Sequence, residues 1–285
     1  MHLRLRKHNQ NIIKAYFVGE YAKGRTPNPC ILCNPEVKFR FLADYARDNG
    51  FDKIATGHYA RIIEKDGRFS VARAKDGTKD QTYMLYRLPQ DILSILTFPL
   101  ADCVKQEVKD IAAARGIIEP DTKESQEICF IPDNDYRSFI EERLGKFPEG
   151  NFVSEDGKIL GTHRGIISYT VGQRKGLGIA LGQRVFVSHI DPVKNEITLS
   201  DPGKTTKTFT ASSLVYSGIP RLEVGQGIRA NVKIRYRATP TSATITAIAN
   251  DKVEIEIDTP VGLVAPGQSV VVYEDDRVLL GGFID

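Results

Sequence analysis

The sequence contains no tryptophan, few cysteines and no long apolar run. Its four cysteines in 285 residues are too sparse for a disulfide scaffold. The short apolar runs exclude a membrane-spanning helix, and no apolar segment follows the basic start MHLRLRKHNQ as a secretory signal would require. These absences predict a cytoplasmic protein in a reducing compartment, where a CxxC motif is more typical of redox, sulfur or metal chemistry than of a structural disulfide.

The sequence also lacks a large net charge and any motif typical of a phosphate-binding loop. With 39 lysine and arginine residues against 36 acidic residues the net charge is only +3, so any contact with nucleic acid must depend on local basic patches. No GxGxxG motif lies near the N-terminus, and the string Gly203-Lys204-Thr205 has Thr198 where a P-loop requires glycine. The length alone predicts two or three domains.

Two kinds of pattern divide the chain. Up to about residue 138, helical and strand patterns alternate, which is typical of an α/β layer. One helix is predicted after Asn34 as N-cap and Pro35 as first residue, and a short one over Tyr136 to Leu144. From about residue 150, turn-bounded segments rich in Val, Ile and Thr predict the strands ISYTV, RVFVSHID, EITLS, RANVKIRYRA, SATITAIA, KVEIEID and SVVVYEDD. We place the boundaries near 140–150 and near 203–210.

Cys30 and Cys33 form a CxxC motif in the loop GRTPNPCILCN (24–34), just before the helix predicted after Asn34. Unpaired backbone N–H groups and the helix dipole stabilise a thiolate at a helix N-terminus, and Lys38 and Arg40 add positive charge nearby. The pattern therefore predicts a nucleophilic thiolate or a metal ligand, with Cys33 affected more because it lies beside the cap. A pair of buried structural thiols is the alternative.

Cys129 lies in the apolar, strand-like segment SQEICFIPD, which by itself is typical of a core cysteine. Together with the CxxC motif it favours two kinds of sulfur chemistry. In a redox relay, one sulfur carries a persulfide and another resolves it as a disulfide. Alternatively, the three thiolates ligate a [4Fe–4S] cluster and leave one iron open. A closed zinc site is disfavoured, because it requires four ligands.

Two motifs in the first half combine small and polar residues. ATGHYAR (55–61) places His58 after a predicted strand and beside Gly57, whose backbone can approach a ligand closely. GTKDQTYML (77–85) groups Lys79, Asp80 and Gln81. A structural histidine and a surface charge pair are the respective alternatives.

Two basic motifs follow in the second half. YTVGQRKGLGI (169–179) is a glycine-rich loop whose tip, Arg174 and Lys175, could meet a polyanion, although a tight hairpin is the alternative. In RANVKIRYR (229–237), strand alternation would place four cations on one face as a phosphate-binding stripe: Arg229, Lys233, Arg235 and Arg237. A merely solvated strand face is the alternative.

Eight motifs, in order and spacing, resemble those of bacterial tRNA-specific 2-thiouridylases: GRTPNPCILCN, VKF, ATGHYAR, KDQTYML, SQEICFI, YTVGQRKGLGI, KIRYR and PGQSVVVYE. The resemblance runs from about residue 16 to 285. It implies that residues 1–140 are the C-terminal part of a PP-loop ATP pyrophosphatase domain, an α/β layer of the adenine-nucleotide alpha-hydrolase type. It further implies a small, mostly-β central domain over 141–206 and an antiparallel, tRNA-binding β-barrel over 207–285.

The resemblance also implies a reaction. The family uses ATP with Mg²⁺ to adenylate C2 of the wobble uridine, at tRNA position 34. Persulfide sulfur, received from a donor protein, then displaces AMP and gives 2-thiouridine in tRNAs for Lys, Glu and Gln. The family's ATP-binding signature SGGxDS is absent from this sequence, so adenylation by this chain alone is expected to fail. A truncated, non-catalytic module that binds tRNA or handles sulfur is the alternative; an iron–sulfur protein that does not bind RNA is disfavoured by the basic stripe.

Residue roles follow from the resemblance, position by position. Cys33 matches the nucleophile and Cys129 the persulfide-bearing cysteine, and the two would form a transient disulfide as sulfur is released. Cys30 stands where many members of the family carry an aspartate as general acid/base. The CxxC motif of this sequence resembles that of a subgroup thought to hold an iron–sulfur cluster, which would place the cluster on Cys30, Cys33 and Cys129. Gly57 matches an ATP contact. The remaining matches are tRNA contacts: Asn28, Pro29 and Cys30 at the target base, with His58, Lys79, Asp80, Gln81, Arg235, Tyr236 and Gln268.

Overall fold

The computed structural model describes residues 7–117, 128–131 and 133–285. The first of these segments is an α/β layer. Its small sheet pairs β1 (Ile54–Ala55) with β4 (Leu96–Thr97) in parallel, and β2 (Arg61–Lys65) forms a hairpin with β3 (Arg68–Ala72). Its α-helices are α1 (Lys7–Ala22), α2 (Pro29–Cys33), α3 (Arg40–Asp48), α4 (Thr82–Leu85), α5 (Gln90–Leu93) and α6 (Lys105–Ala114). None of the helices in the described segments is long and apolar enough to cross a membrane.

The helix that carries the CxxC motif begins earlier than predicted. Asn28 caps α2, with its side-chain oxygen accepting a hydrogen bond from the N–H of Cys30 (3.2 Å), and Pro29 is the first helical residue. A π-helical segment (Asn34–Phe39) joins α2 directly to α3. Asn34 is not an N-cap but the C-cap of α2; it is buried, and its Nδ2 donates to the carbonyl of Met84 (2.8 Å). The prediction was wrong because the chain contains two Asn-Pro pairs and the earlier one starts the helix.

The central part contains one helix and a four-stranded sheet. The helix α7 (Tyr136–Leu144) has the predicted bounds. The sheet has the order β6-β5-β8-β7, formed by β5 (Gly150–Val153), β6 (Ile159–His163), β7 (Phe186–Asp191) and β8 (Glu196–Ser200). The predicted strand ISYTV is instead a 3₁₀ turn (Ile166–Ser168) followed by irregular chain. The strand prediction failed because Ile166 to Tyr169 are all buried, without the alternation of a strand with one solvated face.

The C-terminal part is a closed antiparallel barrel of six strands in the order β13-β10-β11-β12-β9-β14, closed by pairing of β13 with β14. Successive side chains of a strand point to opposite faces of the sheet, so every second residue of β12 enters the barrel core: Val253, Ile255 and Ile257 are fully buried. The hairpin β2–β3 extends this sheet from outside, because Ala72 pairs with Arg277 of β14. The α/β layer and the barrel are thus joined through one sheet. The barrel strands are β9 (Thr206–Tyr216), β10 (Gly227–Lys233), β11 (Thr241–Ala249), β12 (Lys252–Val261), β13 (Ser269–Glu274) and β14 (Arg277–Ile284).

Candidate active site

A cavity of about 780 Å³ lies between the α/β layer and the barrel. Residues of the CxxC helix, of the two polar motifs in the first half and of the turn after β10 line it together. Seven of the residues to which the resemblance assigns a role meet there: Cys30, Gly57, His58, Lys79, Asp80, Gln81 and Tyr236. Segments more than two hundred positions apart in the sequence therefore share one site, which from here on is called the active-site cavity.

The lining of the active-site cavity is strongly basic. It includes five cationic side chains, namely Lys38, Lys79, Lys105, Lys233 and Arg237. Asp80 is the one carboxylate among the lining residues, and two cations flank it. A half-open cavity with this balance suits a phosphate-bearing ligand.

Asp80 connects the two walls of the active-site cavity. One carboxylate oxygen accepts hydrogen bonds from the N–H and hydroxyl of Thr82 (3.0 and 2.7 Å). The other lies 3.7 Å from the Nζ of Lys233 and 3.8 Å from the Nε of Arg73. Burial lowers the pKa of Lys233, and the charge of Asp80 opposes that shift. Because Lys233 belongs to β10, this ion pair fixes the loop of Asp80 against the barrel.

The predicted stripe of four cations does not form. The strand β10 ends at Lys233, which is buried, and the next four residues turn. Arg229 pairs with Asp258, whereas the exposed Arg235 donates from Nη2 to the carbonyl of Leu263 (2.6 Å). The prediction was wrong because the turn ends the alternation after Lys233. The same turn brings Tyr236 and Arg237 into the cavity wall.

Hydrogen bonds also join the two polar motifs of the first half. Gln81 accepts from the N–H of Tyr59 through its side chain (2.8 Å) and donates from its own N–H to the Tyr59 carbonyl (3.1 Å). His58 places Nδ1 2.9 Å from the hydroxyl of Thr56. Burial, assisted by the charge of Lys38, lowers the pKa of His58 to about 4. The imidazole is therefore neutral near pH 7 and suited to hydrogen bonding rather than to ion pairing.

Asn28, Pro29 and Gln268 lie outside the cavity lining and hold the loop before α2. Gln268 Nε2 donates to the carbonyl of Thr26 (2.7 Å), and the hydroxyls of Thr26 and Thr170 are 3.1 Å apart. Asn28 Nδ2 contacts the sulfur of Met84 (3.3 Å), and Pro29 is buried. The barrel, the central part and the α/β layer all contact this loop, so each helps to position the CxxC helix.

The resting thiols differ from the thiolates expected from sequence. Burial raises the pKa of both Cys30 and Cys33, and Lys38 lowers it only in part. Cys30 lies next to the helix N-terminus, whereas Cys33 is the last residue of α2, so the expectation that Cys33 lies beside the cap was also wrong. Burial outweighs the charge of Lys38 here, so both thiols are protonated near neutral pH.

Cys129 lies near the CxxC motif despite the separation in sequence. Its sulfur contributes to the raised pKa of both Cys30 and Cys33, which requires proximity. Cys129 is exposed in a turn and is not a core strand residue. All four cysteines are free thiols, and Cys30 is the one cysteine among the residues that line the active-site cavity; Cys33, Cys103 and Cys129 are not among them. The structure thus brings three cysteines to one region and leaves the fourth outside it.

The three neighbouring cysteines do not form a metal-binding group. Across residues 7–117, 128–131 and 133–285, no set of three or more His, Cys, Asp or Glu side chains is arranged to hold a metal ion. The iron–sulfur alternative therefore stays a prediction from the resemblance.

Some lining residues gave no signal in the sequence. Lys105 starts α6, where its N–H donates to Asp76 (2.9 Å), and its ammonium lies 5.3 Å from the ring centre of Tyr59. Thr78 and Met84 line the cavity from within the polar motif. Isolated lysine, threonine and methionine residues are common in any chain, and only the tertiary fold distinguishes these.

Comparison with known proteins gives consistent matches along the chain. Residues 2–133 match the family described as tRNA methyl transferase HUP domain, 137–201 the tRNA methyl transferase PRC-barrel domain and 206–284 the Aminomethyltransferase beta-barrel domain. The tRNA-specific 2-thiouridylase MnmA of Carboxydothermus hydrogenoformans is 44% identical over 276 residues, covering 95% of this chain and 74% of the relative. The corresponding proteins of Clostridium perfringens and Lachnoclostridium phytofermentans are 45% and 47% identical, covering 97% and 94% of this chain and 77% and 76% of each relative.

Proposed function

The chain belongs to the family of tRNA-specific 2-thiouridylases, and we propose that it transfers sulfur to C2 of the wobble uridine in tRNA. One observation carries this proposal: the thiol of Cys30, on the same helix as Cys33 and near Cys129, lines a single basic cavity together with the motifs of His58 and Asp80 and the turn of Tyr236. The cavity is large enough for a nucleotide, and its cations suit the flanking phosphates. Tyr236 offers an aromatic face on which a base can stack.

In the proposed sulfur transfer, two cysteines are enough to account for every bond formed and broken. In the proposed step, Cys129 carries a persulfide, and its terminal sulfur bonds to C2 of an adenylated uridine as the C2–O bond to AMP breaks. The thiol of Cys33 attacks the inner sulfur of Cys129, gives up its proton and cleaves the S–S bond. The electron pair of that bond stays with the departing sulfur. A Cys33–Cys129 disulfide results, and an external thiol reductant restores the two cysteines.

Cys30 and His58 fit supporting roles in this chemistry. Cys30 is protonated in the resting state and lines the active-site cavity, so its S–H can donate a hydrogen bond to a ligand there. His58 is neutral near pH 7 and can hydrogen-bond to a base or a ribose.

ATP supplies the adenylation when it is bound, and part of the lining fits it. Gly57 is exposed at the cavity wall, where a β-carbon would meet only the side chain of Leu100, 3.8 Å away. Lys38 and Lys79 place positive charge in the same cavity for phosphates. In this proposal Mg²⁺ arrives with the triphosphate.

A thiolation assay tests the proposal. The protein is incubated with unmodified tRNA for lysine, glutamate or glutamine, ATP·Mg²⁺ and a persulfide donor protein, and the digested tRNA is analysed for 2-thiouridine by mass spectrometry. Because this sequence lacks SGGxDS, a family member that carries this motif and has its own cysteines replaced is added to supply the adenylation. We then expect product with the unchanged protein and with the control variant Cys103→Ser, and none with Cys33→Ser or Cys129→Ser. Tight tRNA binding without any 2-thiouridine would instead identify a non-catalytic tRNA-binding module.

A further inference from the structure

A single carboxylate, that of Asp76, caps two helical elements at the wall of the active-site cavity. One is the 3₁₀ turn Gly77–Lys79, and the other is α6, which begins at Lys105. Each element contributes one lysine to the cavity lining, Lys79 at the end of the turn and Lys105 at the start of α6. Asp76 itself is buried and is not among the described residues that line the cavity. It therefore contacts the two elements rather than the cavity.

The two oxygens of Asp76 serve the two elements separately. Oδ1 accepts hydrogen bonds from the N–H and the hydroxyl of Thr78 (3.1 and 2.6 Å), as an N-cap side chain does. Oδ2 accepts from the N–H of Lys105 (2.9 Å), 29 positions further along the chain. These hydrogen bonds lower the pKa of Asp76, so its carboxylate is ionised near neutral pH. A negative charge beside the first residue of α6 also suits the positive end of the helix dipole.

The start of α6 depends on this cap. None of the residues of α6, all of which the structure describes, is buried, so burial of an apolar face contributes little to its position. Val104, at its N-cap position, has no side-chain oxygen that could accept from the first turn. The hydrogen bond from Lys105 to Asp76 therefore fixes where α6 begins, and with it where the ammonium group of Lys105 lies.

The same contacts tie both lysines to the polar motifs of the cavity. The N–H of Lys79 donates to the carbonyl of Asp76 (3.1 Å). The ammonium group of Lys105 lies 5.3 Å from the ring centre of Tyr59. The backbone N–H and carbonyl of Tyr59 in turn both bond to Gln81 (2.8 and 3.1 Å). The contacts thus form a closed ring that begins and ends at Asp76.

We propose that Asp76 is a positioning residue of the active site, which holds Lys79 and Lys105 where phosphates of the substrate bind. This inference rests on the proposed function, because it assigns the two lysines to phosphates of the tRNA at its target nucleotide. An ammonium group binds phosphate as a point charge, so the affinity depends on where that charge is held. Asp76 contacts no substrate in this role and acts through the two lysines.

Two substitutions separate the two caps. Asp76→Asn keeps an oxygen for Thr78 but turns an amide NH₂ group towards the N–H of Lys105, so only the cap of α6 is lost. Asp76→Ala removes both caps. Dissociation constants for fluorescent, unmodified tRNA are measured across a salt series, and circular dichroism verifies folding. We expect Asp76→Asn to bind several-fold more weakly with a salt slope smaller by about 0.7–0.9, and Asp76→Ala to bind on the order of tenfold more weakly with a salt slope smaller by about 1.4–1.8.

The sign of the change distinguishes positioning from simple electrostatics. Removing a negative charge should by itself strengthen the binding of a polyanion. The control Asp102→Asn removes an exposed carboxylate from the loop before α6, and it should bind tRNA at least as tightly as the unchanged protein. In the background of Lys105→Met, Asp76→Asn should cause no further loss, because the lysine through which it acts is gone.

Unchanged or tighter tRNA binding by Asp76→Asn would overturn the inference and leave the proposed function standing. So would an equal loss in Asp102→Asn, or a loss from Asp76→Asn that persists in the Lys105→Met background. Asp76→Asn preserves the size and shape of the side chain, so it carries the test even where Asp76→Ala does not fold. Absence of tRNA binding by the unchanged protein would overturn the proposed function itself.

Discussion

The Nζ of Lys233 lies 3.7 Å from the Oδ2 of Asp80, and this contact joins the barrel to the α/β layer inside the active-site cavity. The two side chains are only 10% and 6% exposed. Breaking a buried ion pair costs more than breaking a surface pair, because the remaining charge stays out of water. The pair therefore positions two of the segments that the resemblance assigns to tRNA.

Replacing Lys233 with methionine should destabilise the protein by about 2–3 kcal/mol. The loss stays below the upper range for buried pairs because Arg73 still lies 3.8 Å from the same carboxylate. Urea unfolding followed by circular dichroism measures it. Lys207→Met is the matched control, because Lys207 pairs with Glu256 on the barrel surface and should contribute little to the free energy of unfolding. Equal losses in the two variants would show that the Lys233 pair has no special role.

Replacing Lys38 with methionine should make Cys30 and Cys33 less reactive. The charge of Lys38 lowers the pKa of both thiols against the effect of burial, so its removal raises them further. Iodoacetamide labelling at pH 8, followed by peptide mass spectrometry, should show slower modification of both residues. The exposed Cys129 is the internal reference, and Lys158→Met, on the exposed turn before β6, is the control variant. Unchanged or faster labelling of Cys30 and Cys33 would contradict this electrostatic assignment.

His58 should make stability depend on pH between about 6.5 and 4. The native state holds its pKa near 4, against 6.5 for the free side chain. Below pH 6.5 the unfolded chain therefore binds a proton that the native state does not, and stability is lost as pH falls towards 4. The free energy of unfolding of the unchanged protein minus that of His58→Gln should be constant above pH 7 and should fall below it. A difference in free energy of unfolding that stays constant down to pH 4 would show that His58 does not cause the pH dependence. The control is His189→Gln, because His189 is exposed.

Replacing Arg235 with alanine should weaken tRNA binding several-fold and reduce the salt slope by about 0.7–0.9, as for one lost phosphate contact. The matched control is Arg221→Ala, because both arginines are exposed on the barrel and donate to one backbone carbonyl. Fluorescence anisotropy across a salt series measures both quantities. Equal slopes for Arg235→Ala and the unchanged protein would mean that Arg235 only packs against Gly172.

Local sequence patterns predicted much of the fold. The spacing over Tyr136 to Leu144 predicted α7 with its bounds, and EITLS became β8 without change. The patterns failed where two equal signals competed, as at the two Asn-Pro pairs, and where burial on all sides removed alternation, as in ISYTV. Pairing of the hairpin β2–β3 with the barrel joins positions about two hundred residues apart, and no local pattern specifies such a contact.

The motifs indicated candidate site residues without indicating the state of those residues. Cys30, His58 and Asp80 line one cavity, and the roles that the resemblance assigns to them stay predictions. The raised thiol pKa values depend on burial, and burial depends on tertiary packing around α2. The burial of Lys233 could not be predicted from the sequence either, because only the fold shows that β10 ends at this residue and that the chain then turns. The residues between 118 and 127, which include part of the SQEICFI motif, lie outside the described segments.

The central claim is that Cys33 and Cys129 act together in sulfur transfer at one site. The most direct test is a single turnover with persulfide-loaded protein, ATP·Mg²⁺, unmodified tRNA and the cysteine-free family member that supplies adenylation, followed by acid quench and non-reducing peptide mass spectrometry. The account predicts one Cys33–Cys129 disulfide for each 2-thiouridine formed. Formation of 2-thiouridine with both thiols free, or with a Cys30–Cys33 disulfide instead, would contradict it.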